Sequence, residues 1–146
     1  MTEDELAERL RSSIGRLVRA GRARPEAMAE NRAQTLGFLL REGALTVAEL
    51  ATRRKVRHQT MQAAVAALED EGLVERTSDP RDGRARLVGL TEEGRSTLLR
   101  ELDRRRGVLA EAIAATLDAD DRAHLERLPE LLDRIAAHVA DSGRAD

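Results

Sequence analysis

The chain has 146 residues, no cysteine, one phenylalanine as its only aromatic, and a formal charge of −2 from 25 basic and 27 acidic side chains. That length suits one domain with a sizeable core. Disulfides and thiol chemistry are excluded, and so are aromatic platforms for stacking single-stranded bases. No apolar run approaches the ~20 residues of a membrane span. The acidic start, Met1-Thr2-Glu3-Asp4-Glu5, lacks the apolar stretch of a signal peptide, so a cytoplasmic protein with no membrane partner is expected. With Phe38 alone among aliphatic residues, the composition predicts a mainly α fold.

Thr2-x-x-Glu5 reads as a capping box, and Leu6, Leu10, Ile14, Leu17 and Val18 follow at helical spacing. Residues 21–32 show little periodicity and read as a connection. Asn31 is the expected cap of a second helix, with Leu36, Leu39 and Leu40 inward and Gly43 at its end. Thr46-x-x-Glu49 is a second capping box, opening a short helix through Val47, Leu50 and Ala51. A basic break at Arg54-Lys55-Val56 precedes a fourth helix, about His58 to Glu71, with Met61, Ala64, Val65 and Leu68 inward and Gly72 just beyond it.

Two short apolar segments, Leu73–Arg76 and Arg86–Leu90, flank a run of turn formers from Thr77 to Asp82-Gly83, which predicts a β-hairpin with a long charged tip. Thr91 caps a long helix carrying Leu98, Leu102, Leu109, Ile113 and Leu117. Asp118 caps the last one, where Leu125, Leu128, Leu132, Ile135 and Val139 recur and Pro129 predicts a kink or restart. The tail from Ser142 is expected to fray.

Helix, basic turn, helix and hairpin form the pattern of a winged helix-turn-helix, whose second helix enters the major groove. Charge is distributed accordingly. No acid interrupts Arg53–Gln62, Arg76–Arg86 is arginine-rich, and acids outnumber bases from Glu92 onward. The outward face of the fourth helix presents Gln59, Gln62, Ala63 and Ala66, flanked by Arg57 and His58. Glutamine can read adenine, arginine can read guanine, and alanine can touch a thymine methyl. A solvated polar face with alanine as helix-favouring filler is the plainer reading of the same wheel.

Glu49-Leu50-Ala51, Val56–Leu68, Glu71–Arg76, Asp79–Ala85 and Leu87–Gly94 together resemble the signature of the MarR family of transcriptional regulators. The register is good from about Asn31 to Leu98 and looser over the rest of the chain. The resemblance implies a homodimeric regulator of double-stranded DNA, reading a pseudo-palindromic operator and acting as a repressor. It also implies that Arg84 at the hairpin tip enters the minor groove, with Asp82 orienting it; Asp82-Gly83 is equally ordinary turn chemistry. The candidate DNA-binding set is Arg53, Arg54, Lys55, Arg57, His58, Gln59, Thr60, Gln62, Arg81, Asp82, Arg84 and Arg86. Two positions depart from the family: Arg57 stands where a capping serine or threonine is usual, and Ala63 where a basic residue is common.

The expected organisation is a single chain over 1–146, with a winged part over 31–91 and an all-helical dimerisation region from 1–24 and 92–142. The stripes of these outer helices are more than a small winged domain can cover, so a second chain is expected to cover them. The family resemblance further implies release by a small anionic, often aromatic effector. Arg11, Arg16 and Arg19 lie beside Ile14, Leu17 and Val18 and offer a carboxylate partner; the solvated side of an amphipathic helix is the plainer reading. No catalytic constellation, cofactor motif or metal set is expected. His124 near Asp120 and Asp121 reads as a surface histidine. The competing function is a winged-helix module that binds protein rather than DNA.

Overall fold

A computed structural model describes residues 1–143. In chain order the elements are α1 (Glu3–Arg22), α2 (Glu30–Glu42), β1 (Leu45–Thr46), α3 (Val47–Arg54), α4 (His58–Asp70), β2 (Val74–Ser78), β3 (Arg86–Leu90), α5 (Glu92–Thr116), α6 (Ala119–Leu125) and α7 (Leu128–Ser142). Two compact units divide them: Met1–Arg105 and a helical unit that begins at Arg106. The mainly α winged-helix expectation stands. Both capping boxes are present, Thr2 with Glu5 and Thr46 with Glu49.

Two positions differ from the sequence reading. The cap of α2 is Ala29, without a side-chain hydrogen bond; Asn31 lies inside the helix, where its Oδ1 accepts from the Arg32 backbone N–H. The two-residue β1 is an added strand. It pairs antiparallel with β3, Leu45 opposite Val88, giving a sheet in the order β1-β3-β2. The restart expected at Pro129 is present: the last stretch is two helices, α6 and α7, with Pro129 in the first turn of α7, a position that needs no N–H donor. The tail beyond Gly143 lies outside the described residues.

One core occupies the first unit. Leu36 and Leu39 from α2, Leu50 from α3, and Met61, Val65 and Leu68 from α4 meet Val74 and Val88 of the hairpin and Leu98 of α5. Three hydrogen bonds fix where α5 begins. Thr91 Oγ1 donates to Gly72 O at 2.6 Å and accepts from Gly94 N–H, while Thr91 N–H donates to Leu73 O. Gly94 must be glycine, because a Cβ there would lie 1.8 Å from Leu73 O.

Candidate nucleic-acid interface

The turn between α3 and α4 is set by backbone geometry. Lys55 takes the left-handed conformation, φ 53°, unusual for a residue other than glycine, and its N–H closes on Thr52 O at 3.2 Å. The turn presents Lys55 and Arg57 to solvent. Arg57 is the cap of α4 and makes no side-chain capping bond, as its departure from the family pattern led us to expect. Met61, Val65 and Leu68 are buried and Ala64 half-buried, so His58, Gln59, Thr60, Gln62, Ala63 and Ala66 form the exposed face.

The hairpin tip is held by its own acids. Asp79 N–H donates to Ala85 O and Ala85 N–H to Asp82 O, both at 3.0 Å. Asp79 is buried, and its Oδ1 accepts from Arg81 N–H at 2.9 Å. That backbone bond holds its carboxyl below the usual range, burial opposing it. Asp82 Oδ1 accepts from the backbone N–H of Arg84 at 3.0 Å, so Asp82 shapes the main chain from which Arg84 projects. Arg84 and Arg86 are exposed.

The cations proposed from sequence therefore fall into two groups. Lys55, Arg57, Arg84 and Arg86 have no side-chain hydrogen bond or ion pair among the described residues. Arg53 is paired with Glu42 at 2.8 Å. Arg54 is half-buried, and its Nη1 donates to Thr35 Oγ1 at 2.8 Å and to Asn31 O at 3.0 Å. Arg81 lies 3.5 Å from Asp79 yet stays largely exposed.

Two residues outside the candidate set belong beside it. Arg76 on β2 donates from Nη1 to Gln62 Oε1 at 3.3 Å. Glu101 on α5 is buried and accepts from Arg104 and Arg105 side chains at 2.8–2.9 Å. Its carboxyl falls from 4.5 to about 2, chiefly through the Arg104 hydrogen bond, aided by Arg105 and the Met28 backbone and opposed by burial. Nothing in the local pattern singles out Arg76, whose partners Gln62 and Glu69 lie on another element; Glu101 has its partners one turn on along its own helix, at a spacing the sequence does show.

An open cleft of about 470 Å³ borders this acid and is lined by Met28, Ala29, Arg32, Arg100 and Arg104 among others. Arg104 Nη1 is buried with no hydrogen bond. Of the first-helix arginines proposed from sequence, Arg11 bonds Glu8 and Arg16 bonds Ser12 and Ser13, whereas Arg19 makes no side-chain bond among the described residues. Among the described residues no three metal-ligating side chains gather, and no helix is long and apolar enough to cross a membrane.

Comparison with known proteins agrees with this geometry. The MarR family model matches residues 28–85. An uncharacterised HTH-type transcriptional regulator of Mycobacterium bovis is 34% identical over 133 residues, covering 90% of this chain and 92% of that protein. Among solved structures, a Pseudomonas aeruginosa protein superposes with a TM-score of 0.80 at 33% identity, over 93% of this chain and 98% of the other. A MarR family protein from Bacillus stearothermophilus gives 0.70 at 26% identity, over 93% and 99%. The chain belongs to the MarR family of winged helix-turn-helix, DNA-binding transcriptional regulators.

Proposed function

We propose that this regulator is a homodimeric repressor that binds a pseudo-palindromic duplex, with α4 in the major groove and the hairpin tip in the minor groove. The observation that carries the reading is the set of exposed, unpaired cations Lys55, Arg57, Arg84 and Arg86 around the polar face of α4. Free guanidinium and ammonium groups neutralise phosphates without first breaking an ion pair. Gln59, Gln62 and the small Ala63 and Ala66 let base edges approach closely.

The second chain follows from apolar surface. No side chain of α1 is buried, and Leu6, Ile14, Leu17 and Val18 lie along it exposed. In the second unit Leu131, Ile135 and Val139 of α7 are exposed as well. Such stripes are costly in water at about 25 cal/mol per Å². A partner chain covering them spaces two α4 helices for successive major grooves, about one duplex turn apart.

Control by a small aromatic carboxylate belongs to the same proposal. The cleft beside Met28 offers apolar wall, and Nη1 of Arg104, which makes no hydrogen bond and lies 3.8 Å from Glu26, offers an anion partner. A binder of this kind releases DNA by favouring a dimer whose α4 spacing no longer fits.

The test is a gel shift on the DNA upstream of the protein's own coding sequence, repeated across a salt series. We expect a specific complex whose affinity falls steeply with salt, by about one logarithmic unit of slope per phosphate neutralised. No complex at low salt would overturn the DNA reading in favour of a protein-binding module. Adding salicylate to the complex is expected to release it; retention at millimolar concentration would remove the effector from the proposal.

A further inference from the structure

Gln62 is the best-placed base reader on α4, and it is not free. Arg76 of β2 donates from Nη1 to Gln62 Oε1 at 3.3 Å, and its Nε lies 3.5 Å from Glu69 on the same helix. Gln62 and Glu69 are seven residues apart, two turns along one face, so the guanidinium lies along α4 and touches it at two points. Arg76 is itself held in register opposite Val88 in the sheet and is mostly buried, with 21% of its side chain exposed.

The orientation of the Gln62 amide follows from donor chemistry. A guanidinium has only donors. The atom it faces must be the amide oxygen, which leaves the NH₂ group to point away. A glutamine reading adenine needs both ends: its oxygen accepts from N6–H while its nitrogen donates to N7. With the oxygen turned to Arg76, what remains outward is a donor. The acceptors that suit it in the major groove are O6 and N7 of guanine, O4 of thymine and N7 of adenine; guanine offers two, whereas at adenine the second bond, from N6–H, is lost.

We infer that Arg76 is a specificity-determining positioning residue, which fixes the Gln62 amide through its hydrogen bond so that Gln62 selects guanine or thymine and disfavours adenine. This rests on the proposed placement of α4 in the major groove. It also revises what the helix wheel alone suggests, because the wheel leaves the amide free to take adenine. Arg76 acts without touching a base.

Selection of duplexes from a random pool tests the inference with the full-length protein as wild type, Gln62→Ala, Arg76→Met and Arg76→Lys. The column that Gln62→Ala flattens marks the base under Gln62. In the wild type that column is expected to favour guanine or thymine. Arg76→Met frees the amide, and adenine should gain there by about fivefold relative to guanine, the lower end of a bidentate contact's discrimination. Arg76→Lys still presents a donor and should keep the wild-type column, whereas a merely structural arginine would show no such rescue. The inference is overturned if the wild-type column already prefers adenine, if Gln62→Ala flattens no column, or if Arg76→Met leaves the column unchanged while the rest of the motif persists. Should Arg76→Met fail to melt cooperatively, the wild-type column alone decides. A wild type that selects no motif overturns the DNA reading itself, and the inference with it.

Discussion

Between Ala33 and Leu98 the leucines, valines and Met61 close on one another, and Leu36, Leu50, Val65 and Val88 are fully buried. In α1, α6 and α7 no side chain is buried, although the same residue types recur there at the same helical spacing. Leu17 is 59% exposed and Val139 65%. The winged part satisfies its hydrophobic pattern with a sheet, three helices and the first turns of α5. The outer helices carry a pattern that the single chain leaves open. Amphipathic helices thus serve folding in one region and, in the proposed dimer, association in the other.

The largest effect should come from breaking association. Leu17→Glu with Ile135→Glu places charges in both open stripes without touching the winged core. Sedimentation is expected to show one chain where the wild type has two, with circular dichroism showing that the helix-turn-helix part still melts cooperatively. Losing the tethered second half-site should weaken operator binding by about a hundredfold or more. A double variant that sediments as a dimer would refute the assignment of these faces.

Gly94→Val breaks the opposite region. The valine Cβ would fall inside Leu73 O, so α5 has to shift away from the hairpin and the Thr91–Gly72 bond is lost with it. We expect several kcal/mol of destabilisation, at the upper end for a single substitution. The readout is chemical denaturation of the wild type against the variant.

Glu101 anchors a charge network within the first unit. Its partners extend outward through Arg105 to Glu30, which also meets Arg22 of α1, and through Arg104 to Glu26. Because the folded carboxyl titrates near 2 rather than 4.5, its contribution is complete above pH 4.5 and is lost as pH falls towards 2. The shift corresponds to about 3 kcal/mol. Glu101→Gln should cost a comparable amount at pH 7, and the gap between variant and wild type should narrow as pH falls from 4.5 to 2. Urea unfolding at several pH values measures both, and a constant gap would show that Glu101 acts through packing alone.

How legible each feature was follows from the range of its chemistry. Thr2-Glu5 and Thr46-Glu49 were readable because a capping box closes within one turn, and the buried face of α4 because one helix sets its own periodicity. Gly43 and Gly72, both with positive φ, ended their helices as glycine should. β1 was not readable: two residues carry no period, and Leu45 becomes strand only by meeting Val88. Asn31 drew attention as a capping residue, yet the helix starts a residue earlier, where the chain leaves the turn at 23–29. The basic turn was visible as a charge run, but its division into paired Arg53 and Arg54 and free Lys55 and Arg57 depends on Glu42 and Thr35, which come from α2. Arg76 was hidden for the same reason, since an arginine's role is decided by what stands across from it; the partners of Glu101 lie one turn on along its own helix, and only its burial depends on the rest of the fold.

The smallest effect comes from Arg57, where stability and recognition oppose each other. As the cap of α4 it leaves the first N–H groups of that helix without a side-chain acceptor, and a serine or threonine there would supply one. Arg57→Ser should raise the stability of the winged part by about 1 kcal/mol. It also removes one of four free cations at the proposed interface, so the slope of log affinity against log salt should fall by about one unit, with weaker binding to all duplexes. The opposed signs make the variant informative. A stabilised protein with reduced salt dependence would show that the chain gives up a helix cap for a phosphate contact. A stabilised protein with unchanged salt dependence but a relaxed motif would instead put the guanidinium on a base. No gain in stability would mean that the backbone at residue 57, extended at φ −67° and ψ 148°, leaves those N–H groups satisfied by water at no net cost.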